Sequence, residues 1–108
     1  MKVAVPVLEI LGMESPVSSH FGRSPYFAIY DTDSGELRFI ENPMANAPRG
    51  AGSGTAVRVV ASNGVSLVIV SNIGPKAVTA LRSLGIEIRY VKPGITLREA
   101  LLQAGFRV

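Results

Sequence analysis

The feature that most constrains this fold is the regular alternation of apolar runs and helical patterns in the second half of the chain. Ser66-Leu67-Val68-Ile69-Val70 and Ile86-Glu87-Ile88-Arg89-Tyr90-Val91 read as strands, the first of them buried. Helical patterns separate and follow them. The first begins around Ala56 to Ala61, with Ser53 as its N-cap, and Asn63-Gly64 stops it. The second runs from Lys76 to Leu84, with Pro75 at the first helical position and Gly85 after its end. The third runs from Leu97 to Ala104, where Thr96 and Glu99 form a capping box and Gly105 ends the helix. Strands linked through helices in this way are parallel and their crossovers right-handed.

The front half has a different grammar. Lys2 to Leu8 is almost continuously apolar, which predicts a strand buried on both faces. Pro6 has no amide hydrogen, so it belongs near the strand's end or where no ladder bond is needed. Tyr26 to Asp31 and Glu36 to Glu41 read as strands around the turn Thr32-Asp33-Ser34-Gly35, so they pair as a hairpin. Asp31, Asp33 and Glu41 have turn and edge roles. Asn42-Pro43 ends the hairpin. The combined expectation is an α/β fold with a mixed five-stranded sheet covered by helices. The 108 residues fit one domain, 1–108, with no internal repeat or linker.

The totals exclude several classes of function. No cysteine is present, so disulfides and thiolate-held zinc or iron–sulfur sites are excluded. Net charge is +3 and the basic residues form no run, which argues against nucleic acid and for at most an attraction to anionic ligands. No apolar run approaches a bilayer span and no signal-peptide pattern follows Met1, so no membrane partner is expected and the expected location is the cytoplasm.

The chemistry-bearing residues gather in two kinds of place. Glu9 to Ser24 is a long loop holding Val17-Ser18-Ser19-His20-Phe21-Gly22-Arg23-Ser24, with the chain's one histidine. Loops of this length are functional or mobile. His20 has three readings: packing or capping, acid–base work, or metal ligation through one ring nitrogen. A serine hydrolase is disfavoured because there is no nucleophile elbow, and a zinc enzyme because a single histidine leaves the ligand set short. Arg23 can pair an anion through two parallel bonds. Phe21, Tyr26 and Phe27 suit a core. The second place is the pair of loop-to-helix junctions at Gly50 to Thr55 and Ile73-Gly74-Pro75, where helix N-termini favour anions. Neither has the spacing of a P-loop or a dinucleotide fingerprint.

Several stretches in order carry a resemblance: the Met-Lys-Val-Ala-Val-Pro start, the Val17 to Phe27 loop, Glu41-Asn42-Pro43, Gly50-Ala51-Gly52, the Gly64 to Val70 strand, Ile73-Gly74-Pro75-Lys76-Ala77 and Leu84-Gly85-Ile86. Together they resemble the dinitrogenase iron–molybdenum cofactor biosynthesis family, which includes NifX, NafY and the C-terminal domain of NifB. The resemblance implies a ribonuclease H-like three-layer fold. Nuclease activity is not implied, because the first strand has no acidic residue before Glu9 and the helix after Gly54 has none.

It implies instead a non-enzymatic binding or carrier protein for an iron–sulfur or iron–molybdenum type cofactor or precursor. His20 is then the metal donor. Ser19, Phe21, Gly22, Arg23, Gly50, Ala51, Gly52, Ser53 and Gly74 are the remaining cofactor-binding candidates, with Arg23 and the junction amides facing the cluster's negative charge. Without thiolates the binding is expected to be labile. The implied partners are cofactor-biosynthesis or cluster-accepting proteins. Two other classes remain in view: an enzyme of small anionic substrates using His20 as acid or base, and a ligand-free regulatory or scaffold domain.

Overall fold

β1 (Lys2–Val7) is the centre of the sheet, and its composition explains why: Val3, Ala4, Val5 and Val7 are all fully buried, on alternating faces. The computed structural model describes residues 1–46 and 53–108. β2 (Tyr26–Asp31) and β3 (Leu37–Glu41) complete an antiparallel meander, while β4 (Val65–Val70) and β5 (Glu87–Tyr90) run parallel to β1. The strand order is β3-β2-β1-β4-β5. This is the mixed five-stranded sheet expected from the pattern.

Three helices cover it. α1 (Ser53–Ser62) and α2 (Pro75–Ser83) lie on one face, joined to it by a cluster of Ala4, Phe27, Val68, Val60 and Leu81 among others. α3 (Leu97–Gln103) covers the opposite face through Leu97, Ala100 and Leu101, packed with Val3, Val5 and Leu67. The result is the three-layer, ribonuclease H-like arrangement. α1 takes in Ser53 as its first residue instead of leaving it outside as the expected cap. No described helix is long and apolar enough to cross a membrane.

Two local expectations have visible causes. Pro6 sits opposite Phe27 in the β1–β2 register but lies past the last β1–β4 pair, Ala4 with Val68. Its missing amide therefore interrupts no β1–β4 bond, and its carbonyl accepts from the Ser18 amide at 2.8 Å. α3 carries the full capping box between Thr96 and Glu99. The amides of Leu97 and Arg98 donate to the carbonyls of Ser15 and Met13 at 2.8 and 2.9 Å. The start of this helix is thus fully hydrogen-bonded, partly by the long loop after β1.

At the hairpin turn, the surroundings of Asp31 hold its carboxyl below the usual carboxylate range. Asp31 accepts from the Asp33 amide at 2.9 Å, and this bond lowers its pKa. Desolvation opposes the shift, while the Ser34 amide, the N-terminal ammonium and Lys2 add to it. A depressed folded-state pKa contributes stability above the unfolded value and loses it as pH falls through the folded one. Asp31→Asn is therefore expected to flatten the acid limb of a melting-midpoint-against-pH curve below about pH 4, with little change near neutrality in that slope. An unchanged acid limb would show that Asp31 does not contribute.

Candidate functional site

The loop after β1 is not a free excursion. It crosses the carboxyl end of the sheet from one face to the other. Val17, 6% exposed, packs into the α3-side core, while Phe21, 3% exposed, packs into the core under α1 and α2. The residues between them must pass over the strand ends. The crossing is pinned on both sides. Val17 forms a bridge with Val7, and the Leu8 and Ser18 amides donate to the carbonyls of Pro16 and Pro6 at 2.9 and 2.8 Å.

Within the crossing, Ser18 sets the conformation of His20. Its buried hydroxyl accepts from the His20 amide at 3.1 Å and donates to the His20 carbonyl at 3.2 Å. Such local side-chain bonds substitute for secondary structure. They leave Ser19 and His20 exposed at the end of the sheet. The Ser18 hydroxyl is thereby committed to the His20 backbone.

The return limb is held as firmly. The Ser24 hydroxyl, buried, is shared between the carbonyls of Val7 and Tyr26 at 3.0 and 2.9 Å. Asn42, 2% exposed at the end of β3, donates from Nδ2 to the carbonyls of Gly22 and Ser24 at 3.0 and 2.8 Å. Its Oδ1 accepts from the Met44 amide at 3.1 Å. Gly22 and Arg23, half-buried, lie on the limb that this side chain clamps. Among the described residues no carboxylate forms an ion pair with Arg23.

The helix starts fall at the same end. β3 and β4 both run parallel to β1, so their last residues and the start of α2 lie at the carboxyl end with the His20 crossing. β1 leads to a neighbour on one side and β4 to a neighbour on the other. In open α/β sheets this switch point is where ligands bind. Gly74, exposed, caps α2 without a side-chain hydrogen bond, and Pro75 offers no amide. The Lys76 and Ala77 amides have no acceptor among the described residues, in contrast to the saturated start of α3.

The expected site residues therefore separate into roles. Ser19, His20, Gly22, Arg23 and Gly74 lie at one end of the sheet. Phe21 lies in the core, its ring 5.4 Å from Phe27 at a 58° tilt, so it anchors the loop rather than lining an open surface. Gly50, Ala51 and Gly52 lie outside the described residues, and of Ser53 only its place at the start of α1 is described. Ser18, Ser24 and Asn42, which fix the loop, were not among the expected site residues. Their signal was weak: a hydroxyl beside the histidine, another before Pro25, and an asparagine before Pro43. Among the described residues there is no group of three or more His, Asp or Glu suited to a metal ion. A resident, fully protein-ligated metal does not fit this donor set. One exposed imidazole, an arginine and an exposed helix start at the same end of the sheet do fit an anionic, metal-containing cargo that brings its other ligands.

The fold defines a small α/β domain, a five-stranded mixed sheet between helical layers. The dinitrogenase iron-molybdenum cofactor family matches residues 1–105, and the chain belongs to it. An uncharacterized protein of Methanocaldococcus jannaschii is 37% identical over 91 residues, covering 82% of this chain and 72% of that protein. A candidate NifB protein from Thermotoga, assigned to the DUF35 family, superposes with a TM-score of 0.77 at 36% identity, over 96% of this chain and 88% of that one. The apo form of the orange protein from Desulfovibrio gigas shares the fold with a TM-score of 0.86 at 24% identity, over 99% and 91% of the two chains. Membership ties the chain to the biosynthesis and binding of the iron–molybdenum cofactor.

Proposed function

We propose that this protein is a carrier that holds an iron–sulfur or iron–molybdenum type cofactor, or its precursor, reversibly at the carboxyl end of the sheet. The observation that carries the reading is the exposed imidazole of His20, on a backbone fixed by Ser18 at the switch point between β1 and β4. His20 donates one ring nitrogen to a cluster metal. Arg23 and the exposed start of α2 at Gly74 and Lys76 offset the cluster's negative charge. One neutral donor and no thiolate make a releasable contact, which suits a carrier handing cargo to a cluster-accepting protein.

A carrier fits these residues better than an enzyme. The hydroxyl two residues from His20 is buried and bonded to the His20 backbone, so it is not held as a nucleophile by the imidazole. Anaerobic reconstitution with an iron–sulfur or iron–molybdenum cluster, followed by gel filtration, is expected to leave the protein coloured and paramagnetic on one-electron reduction or oxidation. His20→Ala is expected to lose that absorbance while keeping the wild-type melting midpoint, because the side chain is exposed. Equal retention of the cluster by the variant would overturn the ligand role.

A further inference from the structure

The layer formed by α1 and α2 has a charge pattern unlike the rest of the surface. Between Glu41 and Glu87 the chain contains no aspartate or glutamate. Both helices pack on the same face of the sheet, so this helical layer carries no carboxylate of its own. Arg58, Lys76 and Arg82 are exposed on it, and none of them forms an ion pair among the described residues. Off this face Arg38 pairs with Glu36, Arg89 with Glu87 and Arg98 with Glu14, at 2.7–3.4 Å, while Arg23 and Arg107 form no ion pair among the described residues.

Lys76 adds a second, independent oddity. It lies in the first turn of α2, where the helix dipole disfavours a cation and where the helix has no acidic residue. A residue that opposes its local electrostatics without a compensating partner is the kind retained for interaction. Lys76 also lines a shallow open depression on α2, together with Pro75, Thr79, Ala80 and Ser83.

We infer that the outer face of α1 and α2 is a docking surface for an acidic protein, engaged through carboxylates that meet Arg58, Lys76 and Arg82. The charge complementarity identifies the occupant. A nucleic acid would call for aromatic platforms or a longer cationic stripe, and the exposed helix positions here carry none. An anionic membrane would call for several large apolar side chains on the same face, whereas only Leu84, at the end of α2, is exposed there among the described residues and the solvent-facing positions Ser62, Thr79 and Ser83 are small and polar. A second copy presenting this same face is repelled by the same charge. The inference stands whether or not His20 holds a cluster. Contacts of this kind act mainly on encounter rate and orientation, and weaken with salt.

The test uses the full chain, labelled for backbone amide NMR, and an oligoglutamate peptide as probe. At low ionic strength the peptide is expected to shift amides of α1 and α2, with the largest effects near Arg58, Lys76 and Arg82. The combined variant Arg58→Glu, Lys76→Glu, Arg82→Glu is expected to abolish those shifts. The variant Lys92→Glu, Arg107→Glu, which reverses exposed cations off this face, is expected to change affinity by less than about threefold, the scale of an exposed ion pair. Should the triple variant fail to fold by circular dichroism, Lys76→Glu alone serves, and it is expected to weaken binding more than the Lys92/Arg107 variant does. Absent shifts, shifts spread evenly over all cations, or an equal loss in the Lys92/Arg107 variant would overturn the inference. Tighter binding of oligouridylate or of phosphatidylserine vesicles on these helices would overturn it in favour of RNA or a membrane.

Discussion

Replacing Asn42 with alanine is expected to lower the unfolding free energy by about 2–4 kcal/mol, and to loosen the His20 loop beyond that. The side chain is 2% exposed and serves three backbone groups at once. Its amide saturates the carbonyls of Gly22 and Ser24, and its oxygen takes the Met44 amide. Alanine removes all three partners. The Ser24 carbonyl suffers most, because that bond is buried. Buried polar groups without a partner carry a penalty of about 1–3 kcal/mol each, and water can relieve the two part-buried ends. Asn42→Asp separates packing from hydrogen bonding. It keeps the shape and the acceptor for Met44 but turns both donors into an anion facing two carbonyls, so it should be at least as destabilising as alanine at neutral pH. Chemical denaturation gives the free energy. Hydrogen exchange at residues 19–24 gives the loop. Wild-type protection there in Asn42→Ala would show that the loop is held by its apolar anchors alone.

Asn42 also marks where the sequence becomes hard to read. Before Pro43 it looks like a strand terminator, and it is one. Its acceptors lie far back in the chain, and nothing in local spacing points to them. The elements themselves were legible because their signals are local and periodic. The Tyr26–Asp31 strand, the capping box at Thr96 and Glu99 and the stop at Gly85 each depend on residues within a turn or two. The hairpin and the parallel second half were legible in the same way, whereas the strand order β3-β2-β1-β4-β5 comes from the structure alone. The loop from Glu9 to Ser24 was harder, because its structure comes from long-range bonds. The carbonyls of Met13 and Ser15 end on the amides of α3, and Pro16 bridges to Thr96. A run rich in glycine, proline and serine signals a loop but not what ties it down. His20 stood out only because the chain has one. That Ser18 turns its backbone and Phe21 anchors it depended on which residues the fold buries.

Phe21 and Phe27 are the pair through which the core reaches the site, and their removal is expected to have the largest effect on stability. Phe27 is fully buried in β2, the neighbour of the central strand, so Phe27→Ala should lower stability by about 3–5 kcal/mol through lost burial and a cavity that the sheet cannot close. Against a typical total of about 5–15 kcal/mol, that change alone can populate the unfolded state. Phe21→Ala should fall at or below the lower end of the same range, because a loop collapses into a void more readily than a strand does. The tilted contact between the rings predicts a coupling of about 0.5–1.5 kcal/mol in a double-mutant cycle. The two variants differ in what they do to the crossing. Phe27→Ala weakens the whole domain but leaves Phe21 as an anchor, whereas Phe21→Ala removes the anchor itself on the α1 and α2 side. At a temperature where both remain folded, cluster retention should therefore fall further in Phe21→Ala, although it is the more stable of the two. That inversion of stability and binding is what a core residue acting as a loop anchor produces. If retention simply follows stability across the pair, Phe21 is packing alone, and the orientation of His20 rests on Ser18 and Asn42.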